Sequence, residues 1–203
     1  MSRLHSTCWL WCLAAMLLPL ASAHAASDQW HYDTVHSQIL FSISHNGYSR
    51  PFGRLHIANG WLRFDPDDWN HAATELDIDL QSLDMGDAGW DKAVCKQALL
   101  DCNTHRYAHF ASTRVERTDA RHGVLYGQLT LRGISRPVSI PFTFNRAGAT
   151  MYGLHDVAGF SATAMLDRND FGMHAHANSI GSQVSVWLEL EAIRDDTSPK
   201  EQP

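Results

Sequence analysis

The strongest constraint on this chain is a period of two in its hydrophobic residues. Leu125, Gly127, Leu129 and Leu131 alternate with Tyr126, Gln128 and Thr130. Val138, Ile140, Phe142 and Phe144 alternate with Ser139, Pro141 and Thr143. Val184, Val186, Leu188 and Leu190 alternate with Gln183, Ser185, Trp187 and Glu189. Successive side chains of a strand take opposite faces, so each segment predicts a strand with one apolar side. Many such strands in one domain predict a sandwich or a closed barrel. The choice bears on function, because a barrel interior can be filled by side chains or kept hollow for a ligand.

Residues 1–25 read as a secretory signal peptide. Arg3 supplies a positive start, Trp9 to Leu20 is an uncharged apolar run, and Ala21-Ser22-Ala23 and Ala23-His24-Ala25 fit small-x-small cleavage sites. The run is short of the roughly 20 apolar residues that span a bilayer. An exported, periplasmic protein is expected. The mature chain of about 178 residues suffices for one β-rich domain. Loss of Arg3 would leave 15 of the 16 basic residues against 22 acidic ones. That balance argues against nucleic acid, which needs a basic face, and against adhesion to an anionic membrane by charge.

Cys8 and Cys12 leave with the signal peptide, so Cys95 and Cys102 remain as an even pair in an exported chain. A disulfide is the expected outcome. Seven residues of straight helix would hold the two about 10 Å apart, beyond the reach of a bridge. The helix must therefore end before Cys102, and Asn103 fits such a stop.

Along the chain, Trp30 to Asp33 reads as a short strand, Val35-His36-Ser37 as a bend, and Ile39, Phe41 and Ile43 as the inner face of a second strand. Phe52 to Ile57 and Trp61 to Phe64 read as a hairpin about Asn59-Gly60, a dipeptide favoured in tight turns. Asp65-Pro66-Asp67-Asp68 is a polar loop. Leu76, Ile78 and Leu80 alternate with Glu75, Asp77 and Asp79. Asp87 to Leu100 has helix-favouring composition and no β-branched run. Phe110 to Val115, Leu125 to Leu131, Pro137 to Asn145, Phe160 to Leu166 and Val184 to Ala192 complete eight or nine mostly antiparallel strands. One domain over residues 26–194 and a disordered polar tail over 195–203 are expected.

At this point the chain resembles the YceI-like family, periplasmic lipocalin-like barrels that bind polyisoprenoid lipids. The resemblance rests on Trp30-His31-Tyr32-Asp33 with Val35-His36-Ser37; on Gly53-Arg54-Leu55 and Gly60-Trp61-Leu62-Arg63-Phe64-Asp65-Pro66; on the run from Gly127 to Val138, where the match is tightest; and on Gly159-Phe160, Arg168-Asn169-Asp170-Phe171-Gly172 and Val184 to Ala192. The order and spacing of these motifs, more than any one of them, make it specific. The chain departs from the family pattern at Ala93, where a His is usual, and at Leu99-Leu100, where an aromatic pair is usual. It departs again at Arg106 or Ala108, where a Pro is usual. The Cys95/Cys102 pair and His174-Ala175-His176 are additions. The resemblance implies an all-β, antiparallel lipocalin-like barrel with one helix alongside, carrying an isoprenoid or quinone-like ligand.

A barrel ligand site needs apolar walls and few polar groups. Inward parity supplies Phe41, Ile43, Leu62, Phe64, Leu76, Ile78, Leu129, Leu131, Ile140, Phe142, Phe160, Leu188 and Leu190 as candidate walls. Alternation alone leaves open whether these fill a dry core or line a cavity; the resemblance implies the cavity. Of 13 histidines, 11 lie from His31 onward. His174 and His176 on one face of a strand would make a metal- or haem-ligand pair, with Met173 beside them. No third ligand stands at a diagnostic spacing, and no metal site is expected. His36-Ser37 lacks the geometry of a nucleophile and base, because adjacent strand residues point apart, and no Gly-x-Ser-x-Gly elbow is present. Arg168 to Gly172 reads as an Asx-type turn with Arg168 paired to Asp170. Asp65 to Asp68 lacks the spacing of a calcium loop. Binding rather than catalysis is expected, and a homodimer is compatible with the chain.

Overall fold

The alternating segments form one antiparallel sheet that curls until its edges meet. The computed structural model describes residues 28–151 and 154–195. Its strands are β1 (Gln29–Tyr32), β2 (Gln38–His45), β3 (Phe52–Arg63), β4 (Ala73–Asp84), β5 (Tyr107–Arg117), β6 (His122–Leu131), β7 (Ile134–Ala149), β8 (Asp156–Asp167) and β9 (Ile180–Arg194). The order is β1-β3-β2-β9-β8-β7-β6-β5-β4, and a β3–β4 pairing closes the ring. β1 and β2 both lie between β3 and β9. Trp30 faces Leu62 and Arg194, while Ile39 faces Leu55 and Leu188. The two short strands are thus halves of one stave, broken at the predicted Val35-His36-Ser37 bend, and the barrel has eight staves. Among the described residues, closure leaves no free sheet edge.

Asn59-Gly60 is not a turn. β3 runs straight through it, and the expected hairpin is corrected to a single strand with a bulge at Ala58. The bulge shifts inward parity by one residue. Leu55 and Ile57 point inward before it and Leu62 and Phe64 after it. Gly60 serves close approach instead of turning: a Cβ there would lie 2.7 Å from Leu76 Cβ and 2.8 Å from the Glu75 carbonyl oxygen. One tight turn that does use positive φ is Arg132-Gly133 between β6 and β7, at 54° and 72°. Both central residues left-handed is the geometry that matches strand twist.

The helix is shorter than expected. α1 spans Ala88–Val94, with the Asp87 carboxylate accepting from the N–H groups of Gly89 and Trp90. Beyond Val94 the chain coils in turns, the Leu100 N–H donating to the Val94 carbonyl at 2.9 Å. Helix propensity at Lys96 to Leu99 yields to this coil, which brings the Cys95 and Cys102 Cα atoms to 5.0 Å and forms the disulfide. Asp195 belongs to the fold: its N–H donates to the Gln29 carbonyl and its carboxylate meets His31 at 2.6 Å. The expected signal peptide over 1–25 and residues 196–203 lie outside the described residues.

Candidate functional site

The barrel is stopped at one end by aromatic rings. Phe64 packs edge-on to Phe160 at 5.0 Å and tilted to Phe144 at 5.1 Å, while Trp69, on a 3-10 turn over Trp69–His71, stacks on Phe142 at 5.4 Å. Trp30 closes the wall behind them, its indole N–H donating to the Phe64 carbonyl at 2.9 Å. Val94 at the end of α1, Leu99 and Leu100 from the disulfide-bridged coil, and Phe171 and Met173 cover the opposite end. Cys102 is itself packed in that apolar cluster with Leu80, Ala108 and Leu131.

Between floor and roof lie two apolar chambers of about 160 and 180 Å³. Each is of the size of an apolar cavity that stays dry and takes up benzene, roughly 150 Å³. Ten of the thirteen candidate wall residues line the lower chamber: Leu62, Phe64, Leu76, Ile78, Leu129, Ile140, Phe142, Phe160, Leu188 and Leu190. Phe41, Ile43 and Leu131 line the upper one, where Ile78 and Leu129 appear again. The structure therefore brings all thirteen to the interior. Ile39, Leu125, Val138, Leu166 and Val186 also line it and share the same inward parity. Val94, Leu99 and Met173 had no periodic signal, because they lie in the roof, where no strand sets the face.

The few polar groups at the wall are already engaged. Tyr32 Oη and Thr74 Oγ1 share a hydrogen bond of 2.7 Å, and the Thr74 hydroxyl donates to the Trp61 carbonyl. Burial pushes the Tyr32 hydroxyl up to about 12 against the opposing pull of Thr74, so it stays protonated at any working pH. Arg168 is the charged residue of the roof, 3% exposed. It does not pair with Asp170 as expected. Its guanidinium donates instead to the carbonyls of Gly181 (2.9 Å), Ile180 (3.0 Å) and Met173, tying the 173–181 loop to the end of β8. The expected Asx turn is present: the Asp167 carboxylate accepts from the Asn169 N–H.

His174 and His176 lie in a turn, not on a strand face. His176 is left-handed (φ 57°) and its carbonyl accepts from the N–H groups of Ser179 and Ile180. Among the described residues, a set of three metal-ligating side chains does converge elsewhere: Asp33, His36 and Glu191, with ligand atoms within 4.8 Å. The Asp33 oxygens have other work. Asp33 accepts from the Val35 and His36 N–H groups and from His36 Nδ1 at 2.7 Å. Beside it the Ser37 hydroxyl bonds both the main-chain N–H and the main-chain carbonyl of Glu191 at 3.1 Å. The pair His36-Ser37 is thus a clasp at the stave break, with neither member free to serve the other.

The closed apolar barrel is where the comparison with known proteins becomes decisive. Residues 30–192 match the YceI-like domain. The chain belongs to the YceI-like family. A UPF0312 protein of Vibrio cholerae is 32% identical over 90% of this chain and 95% of its own. A second UPF0312 protein, from Pseudomonas putida, is 34% identical over 90% of this chain and 94% of its own. Among solved structures, BcnA of Burkholderia cenocepacia superposes with a TM-score of 0.71 at 20% identity, covering 79% of this chain and 98% of that one. A polyisoprenoid binding domain from Saccharophagus degradans, implicated in plant cell wall breakdown, gives 0.62 at 16% identity, covering 83% and 99%. At these identities the two structures speak for the fold.

Proposed function

We propose that this YceI-like barrel is an exported carrier that shelters the apolar tail of an isoprenoid lipid. The observation that carries the reading is the interior: two adjoining chambers walled by aliphatic and aromatic side chains, with every polar group at the wall already hydrogen-bonded within the protein. Such a space rewards burial of hydrocarbon and offers nothing to a polar substrate. Each buried methylene contributes roughly 0.8 kcal/mol, so a prenyl tail needs no charged contact. Membership of the YceI-like family and the polyisoprenoid-binding neighbour support the same ligand class. The N-terminal apolar run supports export to the periplasm; N-terminal sequencing should find a mature start between His24 and Ser27, and an intact Met1 would contradict it.

The carrier reading is tested at Leu129, which lines both chambers. If the interior is a binding space, Leu129→Trp fills it, leaves thermal stability of the delipidated protein near wild type and abolishes uptake of a fluorescent farnesyl analogue. If the interior is simply core, the larger ring overpacks it and costs roughly 1–3 kcal/mol. A large stability loss, in a wild type that takes up no analogue, would defeat the carrier reading.

A further inference from the structure

The outer wall of the barrel gathers ligand-bearing side chains that the apolar interior does not use. Where the β1–β2 stave breaks, Asp33 follows β1 and His36 precedes β2. Glu191 of β9 lies opposite the gap, between the Tyr32–Ala192 and Gln38–Glu189 pairs. Alternation turns Glu191 outward, since Leu190 and Ala192 pack in the core. One ligand atom from each of Asp33, His36 and Glu191 lies within 4.8 Å of the other two.

Main-chain bonds hold the three in place. The Asp33 N–H donates to the Glu191 carbonyl at 2.9 Å, and the Ser37 hydroxyl bonds the N–H and carbonyl of the same residue. Both sides of the break are thus pinned to the main chain of Glu191, and its carboxylate takes no part in that clasp. The Asp33 oxygens divide their work. Oδ1 accepts from the Val35 and His36 N–H groups, while Oδ2 meets His36 Nδ1 at 2.7 Å. A cation seated between Nδ1 and Oδ2 would leave the turn bonds of Oδ1 intact. His36 and Glu191 also line an open groove with Arg146, Thr150 and Glu189, so water can reach the site.

We infer that Asp33, His36 and Glu191 form a surface site for one divalent transition cation of the zinc type. An imidazole nitrogen and two carboxylate oxygens are ligands zinc accepts, with a fourth position for water. Zinc–ligand bonds of about 2.0–2.2 Å place tetrahedral ligand atoms roughly 3.3–3.6 Å apart, inside the spread already present. The cation takes the place of the Nδ1 proton, which leaves to solvent from an imidazolium or moves to Nε2 in the neutral ring. The two carboxylates offset its charge. Bound there, it stitches the broken stave to β9. The site lies outside the barrel and is independent of the carrier reading. It also lies apart from His174 and His176, the pair that sequence spacing singles out, because ligands drawn from three elements leave no local spacing to read.

The test is isothermal titration of zinc chloride into the untagged protein after stripping with EDTA. The wild type should take up one equivalent, and its melting temperature should rise with zinc and fall back on chelation. His36→Ala and Glu191→Gln should each weaken binding about tenfold or more, at least the loss that follows removal of an outer partner of a metal ligand. Glu191→Gln keeps the size of the side chain and the main-chain bonds of the clasp, and its melting curve without zinc reports that it is folded. Should His36→Ala fail to fold, Glu191→Gln decides alone. The double variant His174→Ala/His176→Ala should bind as the wild type does. A wild type that takes up no zinc would overturn the site. So would unchanged binding in folded Glu191→Gln, or binding lost in the His174/His176 variant instead. None of these results bears on the carrier reading.

Discussion

His36 shows how one side chain joins two pieces of a stave. Its imidazole meets the Asp33 carboxylate at 2.7 Å across the β1–β2 break. That bond, with the fields of Asp33 and Glu191, raises the imidazole above its ordinary value. Asp33 is half-buried, which would raise it, but the bonds from His36 and the Val35 N–H outweigh this and hold it below the usual carboxylate range. A raised histidine adds stability that is full below its unfolded value, near 6.5, and lost as pH rises through the folded value; a lowered carboxylate adds stability that is lost as pH falls through its folded value. The clasp should therefore be strongest between roughly pH 4 and 6.5. Thermal melts of His36→Gln and wild type should converge on the alkaline side and separate near pH 5.5. Equal separation at pH 5.5 and 8.5 would show that charge has no part in it.

At the scale of elements, the disulfide coil is the piece with least secondary structure of its own. Val94, Leu99 and Leu100 hold the roof, yet α1 has seven residues and none of them is buried. The Cys95–Cys102 bridge closes a short loop, for which chain entropy gives about 2–3 kcal/mol. The double variant Cys95→Ser/Cys102→Ser should lose about that much in a denaturant titration, and an unchanged midpoint would remove the bridge from the account of stability. The same segment shows what the sequence could and could not reveal. Strand faces were legible wherever alternation ran unbroken, as in β6 and β9, since periodicity reports burial directly. The pairing of Cys95 with Cys102 was legible from the even count of cysteines after the expected signal peptide. The end of α1 was not, because Lys96 to Leu99 favour a helix locally and the tertiary constraint that overrides them leaves no local mark. Asn59-Gly60 misled for a related reason: the dipeptide carries turn propensity, while the close approach of Leu76 that calls for a glycine is a non-local contact. The walls of the candidate site were largely readable and its roof was not, because the walls follow strand parity and the roof follows loop packing.

For the molecule as a whole, closure is what couples fold to function. Eight staves with bulges at Ala58, Thr113 and Asn145 keep apolar side chains pointing inward while the strands bend round. Aromatic rings fill one end, and the aliphatic middle stays open in two chambers. The chain has a formal net charge of −6 at pH 7, which argues against a hold on anionic membranes by charge. The most direct measurement of this account is native mass spectrometry of the delipidated protein incubated with a geranyl-bearing or farnesyl-bearing probe. The account predicts one probe per chain in the wild type and none in a folded Leu129→Trp. Wild-type protein that melts cooperatively yet forms no adduct with either probe would contradict it.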